Sequence, residues 1–415
     1  MSSKQVESAQ KFVWDKFLIA ILVAFMILSL VSIYFSSYYL NVSTLVLVQK
    51  QDMWYAISFG TLYLLKKLGF DRFYNVMRLS YFILLFMLVI LIIVQRVPAL
   101  NSNALISRFI RPIKGAWAWY QFPGIGSFQP SEFMKIALLF ISADVIYKHF
   151  RNPDNKGYLS DLRLFMKIGL WALPPLFLNF LQPDTGIPLI IVISLIFMLY
   201  VAGTKKLWFL LVAGGLIILY VGVVYIYYNH IDILNNMFET TYRLRRFYGW
   251  LDYEKYSTTF GYQLNSSLMA LGLGGPNGID SELYNVRIPE AQNDFIFAVI
   301  GSRFGFVGTL STIALCLLLN VKLMMVAKKS TDTRAQLIIA GLVGIFIYQQ
   351  LQNIAMMIGL LPITGITLPL ISYGGSSLLS YMIGLSVVFL ASSHTANNPV
   401  YDVAKLPTNI LKQTS

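Results

Sequence analysis

Long, nearly unbroken stretches of apolar residues separated by polar connections dominate this chain. A helix needs about 20 mostly apolar residues to cross a bilayer. Ten segments reach or approach that length: 17–40, 52–68, 79–97, 131–149, 165–181, 186–203, 207–229, 294–327, 336–361 and 372–393. The second, fifth and sixth are short, and the eighth is long enough to tilt or project. The pattern predicts an all-α polytopic membrane protein with ten transmembrane helices, one integral-membrane domain over 1–415. The first apolar run lacks a small-residue cleavage pattern, so it reads as a retained span rather than a removed signal peptide.

Charge patterning orients the predicted bundle. Lys and Arg are about three times denser in 1–16, 66–78, 148–167, 205–206, 322–334 and 395–415 than in the alternate connections. The positive-inside rule then puts both termini in the cytoplasm, with 1–16 as the N-terminal segment and 395–415 as the tail. Two long connections fall on the outer side. One is 95–130, with Trp117, Trp119 and Tyr120; the other is the large extracellular loop 230–293 between the seventh and eighth spans. Long connections without an obvious structural task are usually functional.

Composition agrees with this picture. Only 12% of the 415 residues are charged, against about 25% in a soluble domain. Disorder is excluded by the 57% apolar content and a mean hydropathy of +0.64. The net charge of +13 would suggest nucleic acid in a soluble protein. Here its placement in loops fits topology and anionic lipid headgroups instead, so no nucleic-acid partner is expected. The one cysteine, Cys316, lies in an apolar run and can form neither an intramolecular disulfide nor a thiolate metal site. The three histidines, His149, His230 and His394, are too scattered to form a ligand set.

Acidic residues are scarce, and eight of the 19 lie in 230–294. Glu132 and Lys135 open the fourth span three residues apart, hence on one helix face. They read either as a self-neutralising pair below a Ser131 cap or as the lining of a cavity. Asp144 is a further acid within that span. Asp184, in Gln182-Pro183-Asp184-Thr185-Gly186, reads as a turn residue. Asp294 is the last acid before the eighth apolar run. It is either a helix-start acid favoured by the dipole or a partly desolvated general base. Arg243, Arg245 and Arg246 place guanidinium groups beside the membrane, suited to phosphates or to lipid headgroups. Gln349, Gln350, Gln352 and Asn353 put four amides inside the ninth span, where interhelical hydrogen bonding is their ordinary role. The stretch 361–377, rich in Pro, Gly and Ser, reads as a re-entrant loop that protein or a cavity must cover.

Taken in order, these fragments form a set: Gln129-Pro130-Ser131-Glu132 with Lys135, Gln182-Pro183-Asp184, Gly261-Tyr262-Gln263, Pro289-Glu290 with Asp294-Phe295-Ile296-Phe297-Ala298, and Gly359-Leu360-Leu361-Pro362 with Thr364-Gly365 and Ser372-Tyr373-Gly374-Gly375-Ser376-Ser377. In that order and topology the chain resembles the SEDS family, which includes RodA, FtsW and their sporulation paralogue. The resemblance implies a peptidoglycan glycosyltransferase. It would polymerise lipid II at the outer face of the plasma membrane, for elongation or division, beside a class B penicillin-binding protein that crosslinks the strands. It makes Asp294 the essential acid and Glu132 and Lys135 cavity-lining. The chain departs from the family pattern at Ala118, where an arginine is common, at Gln292-Asn293, at Ser302-Arg303 and at Thr185-Gly186-Ile187.

The chemistry fits such a residue set. A sugar hydroxyl attacking an anomeric carbon needs one base, and a lipid diphosphate leaving group needs cations rather than an acid. Asp294 is the expected base, and Arg243, Arg246 and Lys114 the expected diphosphate contacts. Glu132 and Lys135 would shape the cavity floor, and Ser376 of the Ser-Tyr-Gly-Gly-Ser-Ser run would contact substrate. Mg²⁺ or Mn²⁺ is expected as cofactor, held mainly by the diphosphate with Asp294 assisting. Two alternatives carry distinct expectations. A lipid II flippase would depend on Glu132 and Lys135 more than on Asp294, and a non-catalytic scaffold would hold a transpeptidase without making polymer.

Overall fold

The computed structural model describes residues 14–39, 44–113, 115–124, 126–182, 186–230, 242–279 and 287–397. Its helices are α1 (Lys16–Ser36), α2 (Thr44–Leu68), α3 (Phe70–Arg96), the short α4 (Pro98–Asn101) and α5 (Ala104–Phe109), α6 (Pro130–Phe150), α7 (Tyr158–Leu181), α8 (Gly186–Val201), α9 (Lys206–Asn229), α10 (Tyr242–Leu251), α11 (Tyr262–Gly274), α12 (Ile296–Lys329), α13 (Thr333–Met357) and α14 (Gly375–Asn397). Each of the ten apolar segments lies on its own helix. Seven of these are long and apolar enough to cross a membrane: α1, α3, α7, α9, α12, α13 and α14. The other three differ for visible reasons. Helix α8 has 16 residues, α2 carries Lys50, Asp52, Lys66 and Lys67, and α6 carries Glu132, Lys135, Asp144 and Lys148.

Local chemistry sets several boundaries. The Asp15 carboxylate accepts the Leu18 N–H at 3.1 Å and caps α1. Asp332 caps α13 by accepting the Arg334 N–H at 2.8 Å. Pro130 starts α6 where its missing N–H costs nothing. The N-cap of α6 is Gln129, so Ser131 is not the capping residue that the sequence suggested.

Helices α6, α13 and α14 form the buried centre, and α13 packs against α6, α8, α12 and α14. Close approach relies on small residues, as between helices in lipid. A Cβ on Gly341 would lie 2.6 Å from Leu139 Cδ2 of α6, and one on Gly344 2.9 Å from Phe197 of α8. Helix α9 is peripheral. Tyr227 is its one buried residue among those described, and the Tyr227 hydroxyl donates to Asp252 Oδ2 at 2.6 Å.

Three features were not legible in the hydropathy pattern. The 95–130 connection contains α4, α5 and an antiparallel hairpin, β1 (Tyr120–Phe122) with β2 (Gly126–Phe128), pairing Tyr120 with Phe128. The chain is therefore helical apart from this hairpin, among the described residues. Connection 230–293 contains α10 and α11. The long eighth segment is kinked: Gly305 has φ 61° and ψ −154° inside α12. The turn after α11 docks into this kink, where Phe306 N–H donates to Gly275 O at 2.9 Å and Ile279 N–H to Ser302 O at 3.0 Å. The backbone groups freed by the kink thus find partners.

Candidate active site

Asp294 sits on the short segment 287–295 that leads into α12, and its side chain is partly exposed. It is not the N-cap of α12. That position is Phe295, whose side chain makes no capping bond. The segment is held against a second loop, 358–374, which joins α13 to α14. Ser372 Oγ donates to Asn293 O at 2.7 Å, and Tyr373 N–H donates to Gln292 O at 2.8 Å. Asn353, on α13 and wholly buried, donates to Asp294 O and to Ile366 O, both at 2.7 Å. One amide thereby fixes both loops at the acid.

The second loop passes directly beside the carboxylate. Gly365 has φ +74°, and a Cβ there would lie 3.4 Å from Asp294 Oδ2. That loop is fixed from below as well. Ser29 Oγ donates to Ile371 O at 2.7 Å, and the Tyr55 hydroxyl donates to Leu370 O. Gln51 accepts the Gly374 N–H at 3.3 Å through its Oε1. Two non-glycine residues have positive φ among those described, Glu290 (57°) and Leu370 (65°). One lies in each of the two loops. Such conformations cost about 1–3 kcal/mol each and cluster where a site over-determines its backbone.

The acid–lysine pair of α6 lies deeper. Lys135 Nζ is 2.5 Å from Glu132 Oε2, with side-chain exposures of 0% and 9%. The ammonium also lies 4.2 Å from the centre of the Tyr381 ring. Ser380 Oγ donates to Glu132 Oε2 at 3.4 Å, and the Tyr381 hydroxyl donates to Gln349 Oε1 at 2.9 Å. Gln349 and Asn353 are one turn apart on α13, about 6 Å along the axis. Helix α13 therefore carries the Asp294 loop at one level and the Glu132–Lys135–Tyr381 cluster one turn away. The pair is a neutralised, enclosed unit, and the Lys135 ammonium reaches no open surface.

The remaining predicted residues separate. Lys114 and Asp184 lie outside the described residues, as does the side chain of Arg243. Arg246 is half-buried on α10. Trp250, one turn further along the same face, donates its indole N–H to Gly359 O at 2.8 Å. That bond seats this face of α10 on the 358–374 loop. The Ser376 hydroxyl donates to Ser127 O at 2.7 Å and accepts the Gln129 N–H at 3.1 Å, fastening the hairpin and the start of α6 to α14. Asp144 pairs with Lys148 at 2.6 Å. Of the four amides of α13, two bond between helices as expected, Gln349 with Tyr381 and Gln350 Oε1 with Asn320 Nδ2 at 2.6 Å, whereas Gln352 Nε2 donates to Pro362 O at 3.1 Å and Asn353 to the two loops. Gln51 had no signal in the sequence, because its partners lie far away along the chain; Gly365 stood in the loop pattern of 361–377, which did not reveal its approach to Asp294.

No three His, Cys, Asp or Glu side chains gather to hold a metal among the described residues. A cage made of protein alone is thus not built there. A single partly exposed carboxylate, Asp294, does fit a cation held chiefly by substrate phosphates. Chemically, this carboxylate on a doubly fixed loop can accept a proton without first reorganising its support.

Comparison with known proteins bears on this arrangement. The profile of a family described as cell cycle protein, FtsW/RodA/SpoVE, matches residues 12–397. The chain is 32% identical over 313 residues to a protein of Trichlorobacter lovleyi named "Probable peptidoglycan glycosyltransferase FtsW", covering 75% of each chain. It is 32% identical over 288 residues to the peptidoglycan glycosyltransferase MrdB of Escherichia coli K12, covering 68% of this chain and 72% of that one. The fold matches the rod shape determining protein RodA of Thermus thermophilus with TM-score 0.63 and 23% identity, over 95% of this chain and 100% of that one. It also matches a chain solved in work on how a peptidoglycan synthase complex coordinates polymerization and crosslinking, with TM-score 0.68 and 24% identity, over 92% and 98% of the two chains.

Proposed function

The chain belongs to the FtsW/RodA/SpoVE family; it is a peptidoglycan glycosyltransferase of the membrane, and we propose that it polymerises lipid II at the outer face with Asp294 as general base. The observation that carries this reading is the placement of Asp294. Its carboxylate is partly exposed, next to a glycine, on a loop held in place by two side chains, Asn353 and Ser372, and by the Tyr373 backbone N–H.

In this reading a sugar hydroxyl of one lipid II attacks the anomeric carbon of another. The new C–O bond forms as the bond from that carbon to the lipid diphosphate breaks, and the hydroxyl proton passes to the Asp294 carboxylate. The diphosphate leaves as a stable anion, so a second acid is not required, in contrast to glycoside hydrolysis. Arg246, on the face of α10 seated at Gly359, and Arg243 of the same helix are the proposed diphosphate contacts. Lys114 is a further candidate for contact with substrate, whereas Ser376, predicted as a contact, has its hydroxyl committed to Ser127 O and Gln129 N–H and would act by holding the hairpin. Asp294 would help to hold a Mg²⁺ or Mn²⁺ ion, which would supply positive charge to the leaving group. The buried Glu132–Lys135 pair would set the shape and field of the cavity floor without touching substrate.

All ten apolar helices are proposed as spans, with both termini cytoplasmic and 230–293 outside. A class B penicillin-binding protein is the proposed crosslinking partner, in keeping with the synthase complex whose chain shares this fold. The test uses purified protein, lipid II and Mn²⁺, with polymer resolved on a gel. Wild type should form polymer, EDTA should stop it, and Asp294→Asn should fold but lose about 10²–10⁴-fold in rate. Polymer from Asp294→Asn at the wild-type rate would remove Asp294 from catalysis. A wild type that makes none would favour the flippase or scaffold alternatives.

A further inference from the structure

A second polar feature lies at the same end of the bundle. A cleft of about 420 Å³ opens beside the hairpin, lined by Lys50, Arg108, Arg111, Gln121, Phe122 and Ser127 among others. Three of its described lining residues are cationic and none is acidic. Arg111 Nε donates to Gln121 Oε1, which orients the guanidinium and leaves its two Nη nitrogens for a ligand. Arg108, Arg111 and Lys50 are all exposed. Three like charges around one concavity repel each other unless an anion joins them, and arginine forks match phosphate oxygens bidentately.

The cleft is coupled to the Asp294 loops. Lys50 precedes Gln51, whose Nε2 donates to Ser372 O at 3.4 Å, and Ser372 in turn holds Asn293. Its Ser127 wall is bonded to Ser376 at the start of α14. Trp54 is wedged between the hairpin and α14: a Cβ on Gly126 would lie 3.3 Å from its ring, and one on Gly375 2.1 Å.

We propose that Lys50, Arg108 and Arg111 form a binding subsite for a lipid-borne diphosphate, separate from the α10 arginines. Three cations match the roughly two to three charges of a lipid-borne diphosphate better than the single charge of a phospholipid headgroup. The volume lies within the range of small-ligand sites, about 300–1,000 Å³. Only the identity of the ligand as substrate rests on the glycosyltransferase reading.

The full-length protein in phosphatidylcholine nanodiscs is titrated with a polyprenyl diphosphate. Arg108→Gln/Arg111→Gln should raise the Kd about tenfold or more. Arg108→Lys/Arg111→Lys keeps the charges but loses the forks and should recover only part of that loss. Should the Gln double variant not fold, Lys50→Gln serves in its place, with an expected rise of about threefold. In polymerisation the Gln variants should raise KM with kcat largely kept. Unchanged affinity in a variant of wild-type melting temperature overturns the subsite, and so does equal displacement by phosphatidylglycerol, which would make it a headgroup site. Polymer formation alongside unchanged binding sinks the subsite alone. Arginine-dependent binding in a wild type that makes no polymer sinks the glycosyltransferase reading and leaves the subsite standing.

Discussion

Asn353 offers the most direct test of how the fold positions its acid. Its amide nitrogen donates at 2.7 Å to both Asp294 O and Ile366 O, and the residue is wholly buried. Asn353→Leu keeps the volume and removes both donors. Each carbonyl left buried without a partner costs about 1–3 kcal/mol. With both carbonyls unpaired at this point, the relief is for the two loops to part locally. The chain tethers at Ser372 and Tyr373 remain, which limits the movement of Asp294 to a fraction of an ångström up to about 1 Å. A displacement of about 1 Å costs on the order of 10²-fold in a positioned reaction, about 2.7 kcal/mol in the barrier. The assay is steady-state polymerisation of lipid II with melting temperature in detergent as a control. The expected result is kcat down by roughly 10²-fold with KM changed little, since Asn353 touches no substrate. A folded Asn353→Leu protein with wild-type kcat would refute the argument that this amide aligns the base. A rise in KM alone would move its role from alignment to binding.

Two further outcomes follow from other parts of the structure. Glu132→Gln leaves the fully buried Lys135 ammonium without its counter-ion at 2.5 Å and should destabilise the protein by about 3–5 kcal/mol, while Glu132→Gln/Lys135→Met should regain most of that; detergent melting curves for both variants check it, and additive losses would contradict a coupled pair. Gly305→Ala places a Cβ 2.4 Å from Gly278 N at a φ of +61° and should loosen the α11–α12 corner, read as faster hydrogen exchange at Gly278 and Ile279; unaltered exchange there would show that the kink tolerates a side chain.

The residues themselves specified much of this protein because the bilayer reads sequence locally. A run of apolar side chains is sufficient to predict a helix of spanning length, and each of the ten segments lies on a helix. Local pattern also pointed to the pairing of Glu132 with Lys135, since a helix places residues three apart on one face. Asp294 was ambiguous from its own surroundings and became prominent only through the ordered motifs. Tertiary structure decided what surrounds it. Ser29 meets Ile371 across 342 residues of chain, Gln51 meets Ser372 across 321, and Asn353 meets Asp294 across 59. No periodicity encodes such meetings. The same holds for the kink at Gly305, which exists because a turn from another helix supplies its missing partners, and for the cleft that brings Lys50 to Arg108 and Arg111. Hydropathy fixes where a chain lies relative to lipid; which polar groups confront one another depends on how the helices pack, and that depends on every residue at every interface at once.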